Sequence, residues 1–383
     1  MKPIYLDYNA TTPIDPEVVQ AMLPYLEEHF GNPSSSHPYG AQAKKAVESA
    51  RSQVADLLGC EPEEVVFTSG GTESNNYAIK GIAFANRSGG DHIITSSVEH
   101  PAVGEVCRFL ESEGFRVTYL PVDEYGLVYP EEVERAITTR TILITIMHAN
   151  NEVGTIEPVS EIAEIARRHG IAVHTDAAQS AGKIPTRVDG LGVDLLSIAG
   201  HKLYAPKGIG ALYIAHGIRL QKFIHGAGHE RNLRAGTENV LEIVGLGKAC
   251  EIAKRDLEKN IAHMKSMRNR LQKGLTNKLD CIRINGHPEK RLPNTLSVSF
   301  RGIEADSILS EMDEVAASPG AACHSDSANV SSVLTAMNVP VEYAIGTIRF
   351  STGRMTTVEE IDRAVDIIIK AVGRMRQNRA RDC

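Results

Sequence analysis

Between residues 65 and 214 the chain alternates short apolar runs of strand length with segments of helical period, and few folds accept that alternation. Runs at Val65–Ser69, His92–Ser96, Phe115–Leu120, Thr141–Met147, Ile171–Thr175, Val193–Ile198 and Gly210–Ile214 predict seven strands. Helical patterns fall between them: one reaching Ala85 with Thr72 as its predicted N-cap, then 101–112, 130–137 and 158–169. Such a pattern predicts an α/β fold with a mostly parallel sheet covered by helices, whose ligands bind beyond the carboxyl ends of the strands. Thr72, His100, Asn151, Asp176 and Lys202 all fall just after predicted strand ends.

Lys202 is the most suggestive of these. The run Ser197-Ile198-Ala199-Gly200-His201-Lys202 stops at a glycine, and a second turn follows at Ala205-Pro206-Lys207-Gly208. A lone lysine in a turn is ordinarily a surface residue. Held in a cleft and desolvated, the same amine has a lowered pKa and can form a Schiff base. Upstream, Ala172-Val173-His174-Thr175-Asp176 ends in an acid. An Asp that pairs a pyridinium nitrogen is the usual companion of a lysine holding pyridoxal 5'-phosphate. The turn Ser69-Gly70-Gly71-Thr72 into a helix fits a phosphate site, although a Gly-Gly turn of this kind is more often simple capping.

A chain of 383 residues exceeds what one hydrophobic core usually serves, so two domains are expected. The period changes after a long predicted helix at 247–275. Strands at Asn294–Phe300 and Ile345–Ser351 and helices at Glu304–Met312 and 357–376 predict a smaller α/β domain. The expected division is 15–255 for the large domain, and 1–14 with 256–383 for the small one. Before the first strand, Asp15-Pro16-Glu17 opens a helix, 31–38 is a loop of turn formers, and Ala43, Val47, Ala50, Val54 and Leu57 predict a helix over 40–58. A net charge of −7 without a sustained basic block argues against direct nucleic-acid binding. No apolar run approaches signal-peptide or membrane-span length. The six scattered cysteines suit free thiols in a reducing cytoplasm. His225 and His229 are four apart, but Gly226 and Gly228 do not suit the helix that would align them on a metal.

Six blocks in order resemble the cysteine desulfurases, pyridoxal phosphate enzymes of the aspartate aminotransferase-like fold (fold type I). They are Thr68-Ser69-Gly70-Gly71-Thr72-Glu73-Ser74-Asn75-Asn76, Ser97-Val98-Glu99-His100, His148-Ala149-Asn150-Asn151-Glu152-Val153-Gly154, Asp176-Ala177-Ala178-Gln179-Ser180, Gly200-His201-Lys202 and Arg234-Ala235-Gly236-Thr237-Glu238-Asn239. The resemblance extends from Tyr5 to Arg354. It implies that Lys202 holds the cofactor as a Schiff base, His100 stacks on its ring, Asp176 pairs its nitrogen and Gln179 contacts its phenolic oxygen. Gly71, Thr72 and His201 would hold the phosphate, with Thr237 reaching across from a second subunit of a homodimer. Asn151 and Arg349 would bind the substrate carboxylate, for which a planar guanidinium fork is apt.

Cys323, in the small-residue run Ala316–Ser327, occupies the position of the family's catalytic cysteine. The resemblance implies conversion of L-cysteine to L-alanine, with the Cys323 thiolate taking the sulfur as a persulfide for an acceptor such as iron–sulfur or thiolation machinery. Lys202 would be the base for the Cα proton, and His324 is a candidate to assist the thiolate. Two departures keep a second substrate open. Ala199 stands where the family usually has a phosphate-binding Ser, so one hydrogen bond is lost unless Ser197 or backbone groups supply it. The run Gly320–Asp326 is closer to the selenocysteine lyases, whereas Pro101 replaces the acidic residue that follows the stacking His in the animal lyases. L-selenocysteine is therefore the alternative substrate. A non-catalytic sulfur-transfer scaffold is a more distant reading, since Lys202, Asp176 and Cys323 are all present.

Overall fold

The computed structural model of the chain describes residues 2–320 and 330–381. Its strands are β1 (Ile4–Tyr5), β2 (Val65–Thr68), β3 (His92–Ser96), β4 (Arg116–Leu120), β5 (Thr141–Thr145), β6 (Ala172–Asp176), β7 (Leu195–Ala199), β8 (Gly210–Ile214), β9 (Ile282–Asn285), β10 (Thr295–Phe300), β11 (Val315–Ala316), β12 (Ser318–Pro319) and β13 (Thr347–Ser351). The expected α/β architecture is present. Seven strands form one sheet in the order β2-β8-β7-β6-β5-β3-β4. It is parallel from β4 through β7, and β8 runs antiparallel to both β2 and β7. Every residue of β7 is buried, because helices cover both faces of the sheet and a strand there reads as a continuous apolar run. On one face lie Val47, Ile162 and Leu246, and on the other Tyr77, Ile82 and Leu110.

A second, antiparallel sheet has the order β12-β13-β10-β9. The half-buried edge strand β9 had no clear apolar signature in the sequence. The helix Val240–Thr276 joins the two cores, giving Ile243, Leu246 and Ile252 to the first and Met267, Leu271 and Leu275 to the second. It starts seven residues before the predicted 247. Asn239 caps it, accepting from Glu242 N at 3.4 Å, and its glycines are packing contacts. A Cβ on Gly247 would lie 2.6 Å from Ala50 Cα. We propose that the domain boundary falls inside this helix, near residue 255, where its inward residues pass from one core to the other. No described helix is long and apolar enough to cross a membrane.

The expected N-cap at Thr72 is corrected by the structure. The helix begins at Gly71, and Gly70 caps it with φ 147° and ψ −179°, a backbone only glycine adopts without strain. Thr72 is thereby freed to present its side chain elsewhere.

A buried ion pair ties the large sheet to the loop before the long helix. Arg51 and Glu230 meet through two contacts of 2.8 Å, while Glu230 also accepts from Phe67 N at 2.9 Å. Glu230, Arg231 and Asn232 are consecutive non-glycine residues with φ of 46°, 53° and 67°, so this turn needs outside support. Breaking a buried pair strands a charge. Glu230→Ala should therefore lower unfolding free energy in urea by about 3–5 kcal/mol. A loss below about 1 kcal/mol would show that solvent reaches the pair.

Candidate active site

A cavity of about 290 Å³ lies at the carboxyl ends of β6 and β7, over the start of the helix Gly71–Ala85, with β13 on its far side. Gly71, Thr72, His100, Asn151, Asp176, Gln179, His201, Lys202 and Arg349 all line it. Thr237 does not; it is exposed, outside the cavity of its own chain. Cys323 lies outside the described residues.

Asp176 ends β6 with its carboxylate already oriented. Asn75 Nδ2 donates to Oδ2 at 2.7 Å and Ala178 N to Oδ1 at 2.9 Å. Beneath it, buried His174 sits 2.8 Å from Thr145 Oγ1 and 3.0 Å from Ser197 Oγ. Burial pushes His174 down to about 4, Asp176 opposing, so this imidazole is neutral and does not compete for the carboxylate. Ser197 is committed to His174 and does not replace the hydroxyl missing at Ala199, which itself lines the cavity.

Lys202 follows β7 on a single 3-10 turn. Burial lowers its amine below the usual lysine value; Asp176 acts against this and Arg349 with it. Its neighbour His201 is pushed down to about 4 by burial, then by Lys202, Lys207 and Lys183. Nδ1 of His201 lies 3.2 Å from Thr11 Oγ1. His100 caps the helix Pro101–Ser112: its Nδ1 accepts from Ala102 N at 3.0 Å, which fixes the ring and leaves the proton on Nε2. Pro101 suits the first helical position, where an N–H has no partner to lose. Burial and Lys202 lower the His100 pKa, with Asp176 opposing.

Arg349 enters from β13. Its Nη2 donates to Asp7 Oδ1 at 2.9 Å and its Nη1 to Asn151 O at 3.1 Å. Its Nε is buried with no hydrogen-bond partner among the described residues. A buried guanidinium N–H without a partner is an unmet donor. The cavity thus gathers a low-pKa amine, an oriented carboxylate, a helix N-terminus, imidazoles of lowered pKa and an arginine.

Several contributors were not singled out in the sequence: Asn9, Asn75, Asp7, Lys183 and Glu99. For Asn75 a signal existed, since it shares the buried face of Ile79 and Ile82 at helical spacing and is 1 % exposed. A polar residue in an apolar stripe asks for a partner.

The class-V aminotransferase family model matches residues 4–364. A cysteine desulfurase IscS of Dictyoglomus turgidum is 50 % identical over 375 residues, covering 97 % of this chain and 95 % of that one. One from Methanosarcina thermophila is 51 % identical over 377 residues, covering 98 % and 93 %. The chain belongs to the class-V aminotransferase family. Among solved structures, a NifS-like protein superposes with a TM-score of 0.91 at 39 % identity, over 97 % of this chain and 99 % of that one. SspA in complex with cysteine does so with 0.81 at 40 %, over 92 % and 99 %.

This family member uses pyridoxal 5'-phosphate. The donor set fits it: Lys202 for the aldehyde, Asp176 for the ring nitrogen, and the helix N-terminus with Thr72 and His201 for the phosphate.

Glu99, beside His100, accepts from Ser96 Oγ at 2.7 Å and with both oxygens from Met147 N. Burial raises its pKa to about 8, against the Ser96 and Met147 hydrogen bonds, and Asp176 adds to the rise. A carboxyl whose folded pKa exceeds its unfolded value of 4.5 costs stability as pH rises from about 4.5 to about 8. Between pH 5 and 8 Glu99→Gln should lose less stability than the wild type, by on the order of 3 kcal/mol. Parallel profiles in urea unfolding would refute this.

Proposed function

We propose that the chain is a cysteine desulfurase, converting L-cysteine to L-alanine and passing sulfur through Cys323 to an acceptor protein. The observation that carries this reading is that Lys202 from one sheet and Arg349 from the other face a single cavity. An α-amino acid brings an amine for the first side and a carboxylate for the second. The curated relatives at about half identity bear the desulfurase name.

Bound at Lys202, the cofactor supplies a sink for the electron pair left at Cα. Asp176 keeps the ring nitrogen in its protonated form, and His100 holds the ring face. Arg349 and Asn151 orient the substrate carboxylate. Lys202, deprotonated more readily than an exposed lysine, takes the Cα proton. The Cys323 thiolate attacks the substrate sulfur: the S–S bond forms, the Cβ–S bond breaks and its electron pair stays on carbon; a solvent proton to Cβ and return of the Cα proton from Lys202 give alanine.

Thr237 completes the phosphate site of a second subunit in this reading. Its loop is anchored toward the cofactor helix by Arg234–Glu73 at 2.9 Å and stiffened by His229–Glu238 at 3.0 Å. Sulfur transfer by thiolates needs a reducing compartment, which the free Cys60, Cys107, Cys250 and Cys281 suit, so we place the protein in the cytoplasm. Selenocysteine is the second substrate reading, favoured by Ala199 in the cavity wall, which presents a methyl where a hydroxyl would serve the phosphate. Steady-state rates with L-cysteine and L-selenocysteine separate the two.

Lys202→Ala should lose its visible absorbance once the cofactor is dialysed away, and borohydride reduction of the wild type should mark Lys202 alone in a peptide map. A label on another lysine sinks the assignment. Cys323→Ser should keep the cofactor and its spectral response to L-cysteine, yet form alanine at least ~100-fold more slowly, because a hydroxyl attacks sulfur poorly. Near-normal alanine formation by that variant would falsify the persulfide route.

A further inference from the structure

Lys183 is 4 % exposed, and no step above uses it. Its Nζ donates to Gln179 Oε1 at 2.9 Å and to Asn9 Oδ1 at 3.3 Å, both uncharged amide oxygens. The charges that act on it are the like charges of Lys202 and Arg349. An amine buried in this way is costly, and an apolar side chain of similar volume would fill the space without that cost.

What the amine accomplishes is to settle the direction of an amide. Gln179 lines the cavity four residues earlier in the chain. Its Nε2 donates to the Asn9 carbonyl at 2.9 Å, a group that can only accept. Its Oε1 receives the Lys183 amine. The two contacts enforce one orientation: a flipped amide would set oxygen against the Asn9 carbonyl oxygen and N–H against the donors of Lys183. One N–H of Gln179 then remains without a partner among the described residues.

We propose that Lys183 is a positioning residue, locking Gln179 so that an N–H and not the carbonyl oxygen is presented to the phenolic oxygen of the cofactor. This rests on the reading of Gln179 as the neighbour of that oxygen. An N–H donated there stabilises negative charge on the phenolic oxygen. It thereby lowers the pH at which the Lys202 linkage to the cofactor loses its proton.

The test is a pH titration of the visible absorbance of the cofactor-loaded protein. Gln179→Ala should raise the midpoint by about one pH unit, tenfold in the proton equilibrium. Lys183→Met should raise it by a similar amount, and the double variant by no more than either single one, because Lys183 acts through Gln179. Lys183→Gln, which keeps a side-chain N–H, should stay within about 0.3 unit of the wild type. A wild-type midpoint in Lys183→Met while Gln179→Ala shifts overturns the locking role alone. An unmoved midpoint in Gln179→Ala overturns the reading of Gln179 and the proposal with it. Additive shifts in the double variant also overturn it, since Lys183 would then act as a bare charge. Should Lys183→Met fail to fold or to load, Lys183→Gln decides: a midpoint near the wild type supports the proposal, and a full-unit shift overturns it.

Discussion

Asn9 commits every hydrogen-bonding group it has to the seam between the two sheets. Its N–H donates to Ser351 Oγ and its carbonyl accepts from Gln179. Its side-chain amide donates to Asn151 O and Thr295 Oγ1, while Oδ1 accepts from Lys183 and Asn294. At 1 % exposure no water competes for these groups, so each lost partner would leave a buried polar atom unsatisfied. The cavity depends on this residue because its walls come from both sheets. Lys202, Asp176 and Gln179 belong to one, Arg349 to the other, and the seam fixes the distance between them. Two apolar cores alone could slide against each other; a fully satisfied polar junction gives them one register.

Within the large sheet, placement follows from parallel pairing. The register Asp176↔Ser197 between β6 and β7 brings their carboxyl ends level, so the acid and the lysine-bearing turn emerge side by side. Helix N-termini return to the same edge, which is why backbone donors collect where the chemistry needs an anion held. The histidines there are kept neutral by burial, His174 and His201 both near 4. Neutral imidazoles can hydrogen-bond and stack without adding repulsion to a site that already holds several cations.

This edge was largely legible from residue order. The seven apolar runs match the observed strands to within two residues at each end, because strands buried on both faces, such as Leu195–Ala199, leave a continuous apolar signature. Lys202 and Asp176 were legible for the same reason: Asp176 follows such a run immediately, and Lys202 follows one across a short glycine turn. Where the reading failed, tertiary contacts had replaced local rules. Thr72 has the side chain of an N-cap, yet Gly70 takes that place because its φ of 147° excludes other residues. The long helix begins before the predicted 247, through Gly245 and Gly247, where close packing on Met22 and Ala50 calls for glycine. Asn9, Asp7 and Lys183 sit in stretches with no periodicity of their own, and their side-chain partners lie 142 or more positions away, with the exception of Gln179 beside Lys183. No local pattern can register such pairings.

Charge balance explains how the cavity tolerates its cations. Asp7 meets Arg349 directly and accepts from Ser318 Oγ at 2.8 Å with its other oxygen. Asp176 acts on Lys202 and is itself held by two donors, Asn75 and the Ala178 N–H. Arg349 therefore has an oriented carboxylate in direct contact, and Lys202 has one acting on it at longer range. Pairing through Nη2 and Nη1 alone leaves the Nε edge of Arg349 unpartnered. A buried donor left unsatisfied costs stability, so Arg349 is held in place at some expense to the fold.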